Sequence, residues 1–323
     1  MNTLRIVKKE LKPMNKDFLR TRLGAVVGAL LCTMLWGTAF PVIKLSYSRL
    51  GIESADTGSQ VLFAGERFFL AGIMVFVFCI FFNKKSLRIS RSVVVPVVAL
   101  GLVQTAAQYF CSYIGVANTT GTKTSVITAG SVFFSVLPAP LFFKGERLGG
   151  GKLLGCAAGF AGIMIINLNG LTDGGISFLG EGMVLLSAIC SAGGSFLSKV
   201  AAGKGGAKAV TAYQLLIGGS ALIICGAFVG GKARYTDIMG VVLLLYLAFV
   251  SAFAFTLWTA LLELHSVGRI CIFNLLIPIF GTVWSGILLG EQIFKWENFA
   301  AIAFVSVGIF LVNYTKPKER AGT

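Results

Sequence analysis

Charge is what this chain has least of. Only 13% of its 323 residues are charged, and Asp and Glu together number 13. A soluble domain keeps about a quarter of its residues charged, so a shortage this deep excludes an ordinary water-soluble fold. Histidine occurs once, as His265, and one imidazole cannot build a zinc site alone. With one histidine and few acids inside the apolar runs, an integral-membrane enzyme lacks the nucleophile–base pair or metal cluster it would need. No CxxC occurs either. The seven cysteines, Cys32, Cys79, Cys111, Cys156, Cys190, Cys225 and Cys271, all fall inside apolar runs. Their odd number and placement make them small core residues, not disulfides or metal ligands. Neither a metal nor a cofactor is expected.

What the chain has is hydrocarbon. It is 56% hydrophobic, with a mean hydropathy of +0.84. About 20 consecutive apolar residues span a bilayer as a helix, and ten such runs can be drawn: 23–46, 60–82, 93–115, 122–143, 149–168, 178–200, 208–230, 238–262, 267–289 and 297–314. The segments between them are too short to hold a folded domain. The expected fold is an all-α membrane protein of ten transmembrane helices in one bundle, multi-pass in the cytoplasmic membrane. Residues 1–22 read as a basic cytoplasmic tail that is retained, since a signal peptide would have a shorter core and a small-residue cleavage site. Residues 316–323 form a second cytoplasmic tail.

The net charge of +15 does not point to nucleic acid, because the bases sit in short segments between apolar runs. With the N-terminus inside, twenty-one of the 28 lysines and arginines fall on the cytoplasmic side. Six (Lys44, Arg49, Lys123, Lys232, Arg234 and Lys295) fall outside, and Arg67 is left within a span. That asymmetry predicts both termini inside.

The chain also repeats itself. GERLGGGKLLGCAAGFAGIMIIN (145–167) parallels GEQIFKWENFAAIAFVSVGIFLVN (290–313), with one inserted residue. Weaker matches set Lys44 on Lys199, Tyr113 on Trp258, and Gly72 on Gly219. Five spans per repeat is an odd number, so the second half (178–315) must enter from the side opposite to the first (23–168). Such a 5+5 inverted-topology repeat is a design of secondary transporters.

WGTAFPVIK (36–44), RFFLAGIMVF (67–76), the run from Tyr113 to Ala117, NLLIPIFGTVWSGILLGEQ (274–292) and GER at 145–147 occur in this order. On these motifs the chain resembles the drug/metabolite transporter superfamily, in its ten-helix EamA-type branch. The resemblance implies two five-helix halves around a central cavity, exporting small organic solutes, often amino acids or metabolic products. Two departures stand out. Phe133 occupies the place of an early helix-4 proline, with Pro138 and Pro140 further on, so that helix is expected to bend at a different depth. Ser191 replaces an aromatic that would match Trp36.

Polar and aromatic residues at the midplane are where a substrate cavity is sought. In the third span Gln104, Gln108 and Ser112 recur every four residues and share a helical face, with Tyr109 and Tyr113 on the neighbouring stripe. Amides suit a polar or zwitterionic ligand, or they serve interhelical hydrogen bonds. Trp36 and Trp258 lie mid-span, away from the interface that tryptophan usually marks. Asn274 precedes Pro278, which frees its carbonyl. Ser131 and Ser195 suit either a cavity or close packing. Glu66 and Arg67 sit about 9 Å into the second span, where an outer-leaflet clamp and a gating or proton role are both open. Otherwise the cavity faces read as neutral.

These features point to an exporter of small metabolites working by alternating access, with lipids and a small-molecule solute as partners, as a monomer or homodimer. A nucleotide-sugar or phosphosugar exchanger of the same superfamily would need cavity-facing bases. A non-transporting membrane sensor or scaffold would need a domain to signal through.

Overall fold

Backbone polar groups have no water to bond in a bilayer, so apolar sequence of this kind closes its hydrogen bonds within helices. A computed structural model describes residues 16–53, 55–83, 87–119, 121–144, 146–167, 176–233, 235, 237–290 and 296–314. Most of the expected N-terminal tail, all of the C-terminal tail, and Gly145, Glu291 and Gln292 of the repeated closing motifs lie outside the described residues.

After a short turn at Lys16–Arg20 come α1 (Arg22–Leu50) and α2 (Thr57–Asn83). The span Arg91–Ala117 is α3, with a π-helical stretch at Gly101–Ala107. Gly121–Ala129, Ser131–Val136 and Ala139–Phe142 make up α4, and α5 is Gly150–Asn167. The span Phe178–Gly205 is α6, followed by α7 (Ala207–Phe228) and α8 (Ile238–Leu264). The span Val267–Leu289 is α9, with a 3-10 turn at Ile272–Leu275, and α10 is Trp296–Tyr314. Among the described residues eight helices are long and apolar enough to cross a membrane, and α5 and α10 carry shorter apolar stretches. The chain is an all-α, multi-spanning membrane protein. Its outer surface is apolar, with Phe81, Leu141, Phe228 and Phe249 among many large exposed side chains.

Local chemistry sets the ends and breaks. Thr21 accepts from the Gly24 N–H at 2.9 Å and caps α1, and Gly51 closes it at φ 63. Helix α4 is interrupted at Gly130 and again at Leu137–Pro138, where proline removes donors. In α9 the 3-10 turn lies immediately before Pro278, which has no N–H for the Asn274 carbonyl.

Glycines decide how the helices pair. A Cβ on Gly72 would lie 2.8 Å from the Leu216 backbone N, and one on Gly219 would lie 2.4 Å from the Phe69 N. Gly65 likewise faces Ile223, and Gly226 faces Leu62. Numbers rise along α2 as they fall along α7, so the two run antiparallel with backbones nearly touching. Helices α5 and α10 repeat the device: Gly155 abuts the Gly308 carbonyl and Gly162 abuts the Ala301 carbonyl. Elsewhere α1 packs on α8 and α9, α3 on α6 and α7, α2 on α8, and α4 on α6.

A side chain has no room at the α2–α7 crossing. Gly219→Ala is expected to destabilise the detergent-purified protein by about 1–3 kcal/mol, read as a lower Tm. Gly203→Ala, whose added Cβ meets nothing within 4 Å, leaves Tm unchanged or raised.

Candidate functional site

The adjacent charges Glu66 and Arg67 part company in the structure. Successive helical residues point about 100° apart. Glu66 is half-buried and hydrogen-bonds the Tyr235 hydroxyl. It lines a shallow pocket at the end of α2 with Leu50, Phe63 and Lys232. Arg67 turns inward and is 3% exposed. Because α2 begins at Thr57, Arg67 lies roughly 15 Å along the helix, within the first half of its 27 residues. The interior thus carries a charge at this point.

Four helices surround this guanidinium. Arg67 Nε donates to Ser251 Oγ of α8 at 2.8 Å, and the Ser251 hydroxyl donates in turn to the Leu247 carbonyl at 2.9 Å. The Arg67 Cζ stands 5.0 Å from the Phe68 ring centre, a cation–π contact. Its charge acts on the hydroxyls of Tyr47 from α1 and of Tyr109 and Tyr113 from α3. Beyond lies an aromatic wall: Phe68 meets Tyr109 at 4.4 Å and Phe255 at 6.0 Å, and Trp36 meets Phe255 at 5.4 Å and Trp258 at 5.1 Å. One donor here, Trp36 Nε1, is buried without a partner, while the Tyr47 hydroxyl adjoins that of Tyr113.

Of the residues predicted from sequence, the structure thus brings together Trp36, Arg67, Tyr109, Tyr113 and Trp258. The others lie apart. Gln104 is buried against Gly194 of α6 and accepts from Gln214 Nε2 of α7 at 3.0 Å. The π-helical stretch alters the turn between Gln104 and Gln108, so the four-residue spacing does not follow α-helical geometry there. Gln108 Oε1 and Asn274 Oδ1 are each buried without a partner. Ser131 is buried, and Ser195 donates back to the Ser191 carbonyl at 3.1 Å.

Tyr47, Phe68, Ser251 and Phe255 were not singled out from sequence. A signal existed: Ser251, Phe255 and Trp258 fall at i, i+4 and i+7, one face of α8.

Both ends of the bundle are tied by acids. At one, Glu146 accepts from the N–H groups of Val267 and Gly268, capping α9, and meets Lys152 at 3.6 Å. At the other, Glu181 pairs with Lys123 at 3.1 Å and accepts from Thr119 Oγ1 at 2.7 Å. His265, in the α8–α9 turn, donates from Nε2 to the Leu19 carbonyl at 2.7 Å. Lys199 donates to the carbonyls of Leu262 and His265.

Residues 23–168 and 178–314 each match the EamA-like transporter family. The chain belongs to the EamA-like transporter family. It is a secondary transporter and not an enzyme. It is similar to a probable amino-acid metabolite efflux pump of Escherichia coli (strain K12), 26% identical over 88% of this chain and 92% of that protein. An S-adenosylmethionine/S-adenosylhomocysteine transporter of Chlamydia muridarum is 23% identical over 88% of this chain and 90% of that one. A crystal structure shares the fold at a TM-score of 0.74, covering 90% of this chain and 96% of that chain at 17% identity.

Burial holds the His265 pKa below the ordinary histidine value, and Arg269 and Lys199 push it the same way against the Leu19 hydrogen bond. The unfolded chain therefore takes up the proton first, and stability is lost as pH falls through about 6.5. The EamA protein's Tm is therefore expected to fall between pH 7.5 and 5.5, and His265→Gln to flatten that dependence.

Proposed function

We propose that this protein exports amino acids or related polar organic solutes across the cytoplasmic membrane by alternating access. The observation that carries this reading is the polar, aromatic-walled centre around Arg67, where Trp36 Nε1 stands buried without a partner. A buried orphan donor is costly unless a ligand or water meets it for part of the cycle. The printed role of the Escherichia coli relative, amino-acid metabolite efflux, agrees with such a centre. The lining would comprise Trp36, Tyr109, Tyr113 and Trp258. Gln108 and Asn274 offer acceptors towards the helix-3 and helix-9 sides, while Gln104, Ser131 and Ser195 support them.

In this reading the ten helices span the membrane as two inverted halves, 23–168 and 178–315, with tails 1–22 and 316–323 in the cytoplasm. The packing supports it. Exchanging α1–α5 for α6–α10 turns the α1–α8 contact into α6–α3, α1–α9 into α6–α4, and α2–α8 into α7–α3, all of which occur. The close pairs exchange too: Gly72 with Leu216 becomes Gly219 with Phe69, and Gly155 with Gly308 becomes Ala301 with Gly162. Matched helices that pair antiparallel imply a two-fold axis in the membrane plane, which is inverted topology.

A phosphosugar exchanger is disfavoured, because Lys123 is committed to Glu181 and Lys199 to carbonyls. Vesicles containing the purified protein are expected to release amino acids several-fold faster than empty vesicles. A broad solute panel with no protein-dependent flux sinks the reading. In the same vesicles Glu66→Gln abolishes the pH dependence of flux if Glu66 carries a proton, and unchanged dependence leaves it a structural contact with Tyr235.

A further inference from the structure

Arg67 is held inside the bundle with no carboxylate partner among the described residues. Its hydrogen-bond partner among the described residues is the Ser251 hydroxyl, which occupies one of five guanidinium donors. The Phe68 ring covers a face of the guanidinium, and the tyrosine hydroxyls that sense the charge are neutral groups. An ion buried without a counter-charge is a heavy burden on any fold, so a structural role alone predicts a cheaper residue here.

The other half of the chain supplies that cheaper residue. With Gly72 set on Gly219, Arg67 falls on Gln214. Gln214 is fully buried at the corresponding helix crossing and donates from Nε2 to Gln104 Oε1 at 3.0 Å, with Thr105 Oγ1 at 3.4 Å. A neutral amide and a hydroxyl hold that crossing. The fold does not require a charge at this place, yet one half keeps it.

We propose that Arg67 is the substrate-anchoring residue, and that its free Nη groups take a carboxylate of the transported solute as a paired, charge-assisted contact, with the Tyr47 hydroxyl as a neighbouring donor. The inference rests on the transporter reading and names the chemistry of its substrate: an organic acid or amino acid whose apolar or aromatic body lies along Phe68, Phe255 and Trp36. A single guanidinium suits a carboxylate. A phosphate ester would call for further bases, and Lys123 and Lys199 are engaged elsewhere. Ser251 positions the guanidinium by holding Nε, leaving the two-pronged Nη edge open.

Equilibrium binding of four probes that share a phenyl ring tests this on the detergent-purified full chain, by thermal shift and tryptophan fluorescence: L-phenylalanine, 3-phenylpropionate, phenethylamine and phenyl phosphate. Phenylalanine and phenylpropionate are expected to bind, and phenethylamine, which lacks the carboxylate, to bind about tenfold or more weakly. Arg67→Gln erases that preference, and Arg67→Lys, a point charge without the fork, keeps part of it. Phenethylamine binding as tightly as phenylpropionate, phenyl phosphate binding best, an unchanged preference in Arg67→Gln, or no carboxylate binding up to millimolar concentration each overturns the proposal. If Arg67→Gln does not fold, the wild-type series decides alone. Carboxylate-selective binding without flux in vesicles would remove the transporter reading and leave the site. Flux without carboxylate preference would do the reverse.

Discussion

A guanidinium taken out of water costs several kcal/mol even after the surroundings relax, and this fold is arranged around one. Arg67 draws a hydroxyl from α8, a ring from its own helix, and tyrosines from α1 and α3. Those four helices must present their polar and aromatic faces inward, which leaves their aliphatic faces for lipid. The same geometry throws the neighbouring Glu66 outward to Tyr235. One charge in the interior therefore meets side chains from four helices and gives the space between them its chemical character.

That space would open and close against a rigid frame. The α2–α7 and α5–α10 pairs meet backbone to backbone through glycine, and such contacts gain dispersion over a long seam without depending on a hydrophobic effect that lipid cannot supply. The ends are tied differently. Glu146 on the α9 N-terminus and Glu181 on Lys123 and Thr119 are polar contacts that join one half of the chain to the other.

Much of the fold was legible in the sequence, because apolar runs of bilayer length report helices directly. All ten expected runs coincide with helices, and boundary differences of a few residues mattered at only one place. Starting α2 at Thr57 instead of Gln60 sets Arg67 nearly one turn further along its helix. The site was half legible. Mid-span Trp36, Trp258, Tyr109 and Tyr113 stood out because such residues are unusual in hydrocarbon. Ser251 and Phe255 did not, since a serine and a phenylalanine in an apolar helix are unremarkable until the partner across the bundle is known. The Gln104–Gln108 spacing misled because the π-helical stretch between them cannot be read from composition.

The central claim is that the aromatic centre beside Arg67 meets the aqueous phase on each side of the membrane in turn. Thiol labelling of Tyr113→Cys, in a chain whose seven native cysteines are replaced, tests it most directly. A membrane-impermeant reagent added to either face of oriented vesicles should modify the introduced thiol, and a saturating transported solute should slow both reactions. Modification from one face only, unaffected by solute, would contradict the account.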